Sequence, residues 1–428
     1  MSRISNWLKS NLQSTLFKHI SILFMWDNLS KITVAIITII LIRTLSKEDY
    51  ALYTFFLASL NFFVGLMSSG IDTAYIRFSV EEYSITKKMP NDILIFSTVL
   101  CLFIFLGMSP IIFLFSKSTS LLIFKNTLYG QPLLFGFIAA LGFFLITIVA
   151  RYYQAQEKYV KSGFISNLDK PAFLIFLLIL LLLGKLNFLR LAFLQIFVVS
   201  FFGILFIGLI LKNDLAKEKL VLNFHRFKNF LKDSFWLIMY FLTSALFNQL
   251  DMFMISRMLT SKDLANYGVA FKYYTLLIAV YPSIRIVLNV RTSGRDMIEN
   301  PEKQKIFLKK WIKTTIFLFI PLFALILLFS GHLMNLLNGK RYSASILPFK
   351  FLVICAMINY ILPVTNVFLA TKRYFLLFCF GIVALVINFF MNLWLIPNYG
   401  INGAAISLLV SFFILEVMAL YYIMAQNK

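Results

Sequence analysis

Several ionisable side chains of this chain lie inside long apolar runs, where a charge is expensive and therefore usually has a use. Asp27 and Lys31 are four residues apart, which puts them on one face of a helix as a potential ion pair. Ser244, Asn248 and Asp251 recur at helical spacing and form one polar stripe. Lys272, with Thr275 on the same face, lies about a third of the way into an apolar run, and Arg285 follows Pro282 near the end of it. Asp169-Lys170 precedes Pro171, Lys350 lies near a run's end, and Glu416 is deep in the last run with no local partner in the sequence. An ionisable group at mid-bilayer costs about 2.5–3.5 kcal/mol on an insertion scale, so such groups face a partner or a wet cavity. The chemistry these residues suggest is recognition of a charged molecule in a low-dielectric passage. Lysine supplies a point charge to an anion and arginine a bidentate contact.

The elements that carry these residues follow from composition. Of 428 residues, 60% are hydrophobic and only 14% charged, and the mean hydropathy is +0.85. A soluble domain is about 25% charged, and a chain of this length cannot hide so much apolar surface in one core. A soluble enzyme, a nucleic-acid-binding domain and a disordered chain are excluded as descriptions of the whole. A span needs about 20 apolar residues. Twelve segments qualify: 19–42, 50–72, 91–115, 132–150, 164–184, 187–211, 233–256, 265–287, 311–330, 346–370, 374–395 and 401–425. The expected fold is an all-α integral membrane protein. Residues 1–18 are polar, with Arg3, Lys9 and Lys18 and no small-residue cleavage site, so no signal peptide is expected there.

Charge sets the orientation. With the N-terminus in the cytoplasm, the richest Lys/Arg clusters fall on the cytoplasmic side: six in 212–232 and seven in 288–313. The last external connection, 396–400, has none. That bias is the positive-inside pattern, with both termini cytoplasmic. It also accounts for the net charge of +22 without a nucleic-acid partner, because the bilayer's anionic leaflet meets the same loops. Residues 212–232 read as a linker between two lobes, 1–211 and 233–428. Cys101, Cys355 and Cys379 all lie in apolar runs and form no disulfide framework.

The two halves echo one another. Ile42–Phe56 aligns with Ser256–Ala270 at an offset of 214, with identities at Arg43/Arg257, Leu45/Leu259, Asp49/Asp263, Ala51/Ala265 and Tyr53/Tyr267, and Ser46 opposite Thr260. A second echo, at an offset of 215, pairs Ala155–Tyr159 with Ala370–Tyr374. Each half holds an even number of spans, so both enter the membrane in the same direction. The expectation is two six-helix repeats about a pseudo-two-fold axis along the membrane normal, with a binding site between them. Pro171, Pro282, Pro321 and Pro363 interrupt spans and are candidate bending points.

Four stretches resemble the Wzx-type polysaccharide-unit flippases of the multidrug/oligosaccharidyl-lipid/polysaccharide exporter superfamily. They are Leu41–Tyr53 (LIRTLSKEDYALY), its counterpart Asp251–Tyr267, Leu337–Tyr342 (LNGKRY) and Pro397–Ala405 (PNYGINGAA). Ala51 stands where that family typically has glycine. Gly400 and Gly403 also have a structural reason, a tight turn followed by close helix packing. The resemblance implies a bacterial inner-membrane transporter that flips an undecaprenyl-diphosphate-linked oligosaccharide to the outer leaflet. It implies surface polysaccharide biosynthesis, O-antigen or capsule, with a polysaccharide polymerase and a chain-length regulator as candidate partners. On that reading Asp27, Lys31, Asp251, Lys272 and Arg285 are the candidate substrate-binding residues, and Glu416 the candidate for ion coupling.

No catalytic residue, cofactor or metal is expected. There is no phosphate-binding G-x-x-x-x-G-K-[ST] loop, and His19, His225 and His332 are scattered. The competing readings are a polymerase or ligase acting on the same lipid, which needs a large external loop, and a multidrug exporter, which needs an acidic site for cations.

Overall fold

The computed structural model describes residues 15–86, 88–213, 222–281 and 300–425. Among these, every regular element is helical. The first half comprises α1 (Thr15–Thr44), α2 (Lys47–Val64), a π-helical turn (Gly65–Ser69), α3 (Gly70–Thr86), α4 (Asn91–Phe124), α5 (Gly130–Ala155), α6 (Tyr159–Asn167), α7 (Asp169–Leu182) and α8 (Phe188–Asn213). The second comprises α9 (Phe224–Met258), α10 (Ser261–Ile278), α11 (Pro301–Asn338), α12 (Ile346–Ile361), α13 (Val364–Ala370), α14 (Tyr374–Tyr399) and α15 (Ile401–Ala425).

Each expected span overlaps a helix, and among the described residues nine helical stretches are long and apolar enough to cross a membrane. Their outward side chains are apolar too: Leu114 on α4 and Phe317 on α11 are 75% and 84% exposed. That surface belongs in lipid, where helices alone satisfy their own backbone. The chain is a multi-pass integral membrane protein.

Several helices run beyond the expected spans. The second continues through the π turn to Thr86, the third reaches Phe124, and α9 begins at Phe224, inside the stretch expected as a linker. Polar helix ends leave the hydrocarbon and escape a pattern built on apolar length. Prolines act unequally. Pro363 interrupts its span, because Leu362 and Pro363 separate α12 from α13. Pro321 is absorbed inside α11. At Pro171, Leu168 keeps a helical backbone, and the bonds from Leu168 N to Phe164 O and from Ala172 N to Leu168 O carry α6 on into α7.

The sequence echoes have local causes. Ser46 caps α2 through Asp49 N, and its hydroxyl donates to the Asp49 carboxylate. Thr260 caps α10 through Asp263 N in the same way, and the Asp263 carboxylate accepts from Thr260 N to complete a capping box. The second echo is a shared turn. Glu157 and Lys372 both have positive φ, 61° and 59°, and Lys158 N and Arg373 N reach back to Tyr153 O and Phe368 O. That is a Schellman-type helix ending.

In the first half α5 is central, packing on α2, α3, α4, α6 and α8; in the second, α14 packs on α15 and α9, and α12 on α10, α11 and α15. The halves meet where α2 crosses α10 and where α2 and α3 run along α9. Glycine makes this seam close. A Cβ on Gly65 would sit 2.1 Å from Ala245 Cβ, and one on Gly268 2.5 Å from Thr54 Oγ1. Gly400, with φ 57°, turns the chain between α14 and α15. A Cβ on Gly403 would fall 2.3 Å from Leu395 O, so both glycines act as expected.

Candidate functional site

Two adjoining cavities lie along the seam. The first, about 150 Å³, is enclosed by α1, α2, α5, α7 and α8 of the first half and closed by Lys272 of α10. The second, about 60 Å³, lies between α2, α9 and α10. Tyr50, Leu57 and Lys272 line both. Val34, Ile37, Thr38 and Leu41 present one face of α1 to the first cavity.

Lys272 is therefore at the junction. Its side chain is half-buried and, among the described residues, makes no ion pair or hydrogen bond. Opposite it, Lys170 Nζ pairs with Asp169 Oδ1 at 2.9 Å and also donates to Ser166 O. The Asp169 side chain is 3% exposed. The sequence had offered these two only as charges beside a proline kink, yet both line the first cavity. Gln195 was missed as well, although an amide inside an apolar run was a visible signal.

The other expected site residues are placed differently. Lys31 extends the cavity-facing stripe of α1 by one turn beyond Val34; the Asp27 side chain is not among those described. Asp251 lies in a polar network of the second half, 2% exposed. Tyr267 Oη donates to its Oδ2 at 2.8 Å and Asn392 Nδ2 to its Oδ1 at 2.7 Å. Neither cavity is lined by Asp251. Glu416 does have partners: it accepts from Val364 N at 2.9 Å, Thr365 N at 3.2 Å and Thr365 Oγ1 at 2.7 Å. It caps α13 just after the Pro363 break, where free N–H groups and the helix dipole favour a carboxylate. Arg285 lies outside the described residues. Among the described residues no cluster of ligands could hold a metal ion.

At one end of the seam two arginines tie the halves together. Arg43, just before the end of α1, donates to Leu337 O and Leu336 O, both at 2.7 Å, at the end of α11. Arg257, near the end of α9, donates to Ile123 O and, at 3.4 Å, to Leu122 O at the end of α4. Both donors and both acceptor pairs are separated by 214 positions. At the opposite end Arg226 of α9 reaches Asp92 Oδ1 at 3.2 Å and also pairs with Glu82.

The all-helical bundle has the fold of several solved membrane proteins. The chain resembles the lipid II flippase MurJ in its inward closed conformation, at a TM-score of 0.73 and 16% identity over 95% of this chain and 88% of that one. It also resembles a multidrug resistance MATE family transporter of the MOP superfamily in an inward-facing conformation, at a TM-score of 0.70 and 12% identity over 96% and 98% of the two chains. A MOP superfamily transporter from Pyrococcus furiosus matches at a TM-score of 0.64 and 12% identity, over 95% and 93%. No curated protein sequence matches. The profile of the polysaccharide biosynthesis protein family matches residues 16–288. The chain belongs to that family.

Proposed function

We propose that the protein translocates an isoprenoid-diphosphate-linked oligosaccharide from the cytoplasmic to the outer leaflet of the bacterial inner membrane, for assembly of a surface polysaccharide. It is a transporter and not an enzyme. One observation carries this: Lys272, unpaired among the described residues, stands where two cavities meet on the seam between the halves. A diphosphate entering the bilayer region needs its charge matched, and a lysine there needs an anion, so each offsets the other's desolvation. The prenyl tail stays in lipid while the head group passes between the halves. Lys31, and Arg285 beyond the described residues, would extend the basic track.

Twelve spans in two six-helix repeats fit this work. Thr54 and Gly268 occupy equivalent positions, 214 apart, and touch, as residues beside a two-fold axis do. The equal spacing of the arginine contacts supports the same symmetry. With both termini cytoplasmic, the Arg43 and Arg257 contacts close the outer side. Alternating access then requires them to part while the cytoplasmic end closes. A site for cationic drugs is less well supported, because Asp169 is already paired with Lys170. A lipid polymerase or ligase would need a folded external domain, and the described connections between helices are short.

The test is the sidedness of lipid-linked saccharide in cells lacking the protein, complemented by wild type or by Lys272→Ala at equal membrane abundance. Units trapped on the cytoplasmic leaflet in both the null and the variant are expected. Units that reach the outer leaflet and stay unpolymerised would instead indicate the enzyme reading.

A further inference from the structure

Away from the seam, α6 and α8 both pack on α5 and leave a groove of about 220 Å³ between them. Tyr153, Lys161, Phe164, Ile165, Phe206 and Leu209 line it, and none of these lines either cavity of the seam. Its lips are apolar and open outward: Phe164 is 39% and Leu209 44% exposed. Two cations stand at its head, where α5 ends and α6 begins. Lys158 Nζ is 5.9 Å and Lys161 Nζ 5.5 Å from the centroid of one ring, that of Tyr153. Lys212 follows Leu209 by one turn on α8. Among the described residues neither Lys158 nor Lys161 forms an ion pair, although Glu157 adjoins Lys158 in the chain. Two like charges held at one ring repel each other, and the attraction of the ring does not replace an anion. The internal repeat separates the two lysines. At the offset of 215, Lys158 corresponds to Arg373 and Tyr153 to Phe368, and the Arg373 guanidinium lies 5.8 Å from the Phe368 ring centroid. A cation on that ring therefore belongs to the turn. Lys161 corresponds to Leu376, so the turn forms without a charge there and Lys161 needs another reason.

We infer that this groove binds an anionic glycerophospholipid of the surrounding bilayer. Its phosphate sits between Lys158 and Lys161, and one acyl chain lies along Phe164, Phe206 and Leu209. The complementarity is of charge and of shape. The lysine stems run along the apolar wall while their ammonium groups reach the head-group level, where each basic residue adds to the attraction for anionic lipid. The apolar lining below them suits a chain and offers nothing to a free anion. A zwitterionic lipid fills the groove equally well but leaves the two like charges uncompensated. With the N-terminus cytoplasmic, this end of α5 meets the cytoplasmic leaflet, where the other basic clusters also lie. The inference needs only that the chain lies in a bilayer and is independent of what is transported. It has a consequence for the seam: α6 carries on into α7, where Asp169 and Lys170 line the first cavity, so a lipid held at the start of α6 steadies that wall.

The experiment is native mass spectrometry of the full chain released from nanodiscs of phosphatidylglycerol and phosphatidylcholine in equal parts, with matched acyl chains. Wild type is expected to retain phosphatidylglycerol over phosphatidylcholine by about tenfold or more in its last bound lipid. Lys161→Gln should lower that preference about fivefold, and Lys158→Gln combined with Lys161→Gln should abolish it. Leu209→Trp, which fills the groove and leaves both lysines, should lose the bound lipid as well. Lys117→Gln combined with Lys125→Gln removes the same charge near the other end of α4 and α5 and should change nothing. An unchanged melting temperature checks that each variant is folded, and Lys161→Gln, at an exposed position, serves alone if the others do not fold. The inference is overturned if wild type shows no preference, if the control pair loses as much as the Lys158 and Lys161 pair, or if Leu209→Trp keeps the full preference. Retention of undecaprenyl phosphate in place of phosphatidylglycerol, when both are supplied, would also overturn it, by giving the groove to a prenyl lipid.

Discussion

Removing both arginine contacts between the halves should open the side of the protein that they close. Arg43 places two guanidinium nitrogens 2.7 Å from the last carbonyls of α11, and Arg257 Nη1 donates to the Ile123 and Leu122 carbonyls at the end of α4. These carbonyls have no partner within their own helix and carry the negative end of its dipole. A hydrogen bond from a charged donor contributes about 1.5–3 kcal/mol when buried. Both arginines are exposed, so solvent reduces each contact to roughly 1 kcal/mol. If the two act independently, losing one raises the open population about fivefold and losing both about 30-fold. The assay is labelling of Ala58→Cys by a membrane-impermeant maleimide added from outside, in a background where Cys379 is serine. Ala58 is buried on the wall of the second cavity, and the remaining cysteines, Cys101 and Cys355, are buried. Arg190→Ala is the control, because that arginine bonds within its own half, to Lys185 O. Labelling rates of the double variant within twofold of the Arg190→Ala control would refute the reasoning. So would an effect of one arginine without the other, since each ties the two halves at the same end of the seam.

Three further outcomes follow from the geometry. Lys272→Ala should abolish transport while the protein remains in the membrane at normal abundance, because the side chain has no structural partner among the described residues; undiminished flipping would remove it from the site. Glu416→Ala strips the cap from α13 and leaves Val364 N and Thr365 N without their acceptor, at a cost of about 1–3 kcal/mol for each buried orphan. The melting temperature in detergent should fall accordingly, whereas a purely ion-coupling role would leave it unchanged. Gly268→Ala puts a methyl 2.5 Å from Thr54 Oγ1 and should cost about 1–3 kcal/mol by overpacking; Thr54→Ala should restore much of it, and an equal loss in the double variant would mean that the clash is not the cause.

The positions of the helices were legible in the sequence because bilayer thickness fixes how many consecutive apolar residues a span needs. The internal echo was legible because the same local devices recur. Ser46 and Thr260 accept from Asp49 N and Asp263 N at equivalent helix starts, and the turns at Glu157 and Lys372 share one backbone conformation. Where the helices ran on was not legible: α3 and the start of α9 are polar enough to leave the hydrocarbon, and an apolar-length criterion stops short of them. The site was half legible. Burial cost marked Lys272 and the Asp169-Lys170 pair as charges needing a reason, but it could not distinguish a cavity wall from a satisfied interior. Asp251 and Glu416 met the same criterion and proved to be held by Tyr267 with Asn392 and by the start of α13.

What the sequence by itself determined is local and one-dimensional: apolar length, helix caps, turns, the charge asymmetry of the loops and the repeat. Each depends on residues within a few positions of one another or on a count along the chain. What only the tertiary structure decided is which charges face each other. Lys272 comes to line one cavity with Lys170, far from it along the chain, and Arg43 meets a carbonyl 294 positions away. Such pairings depend on how closely the halves approach, and that is set by the packing of glycines such as Gly65 and Gly268 against their neighbours. The energy of an ionisable group in a membrane is set by its nearest partner in space, so its role becomes readable only once those neighbours are in place.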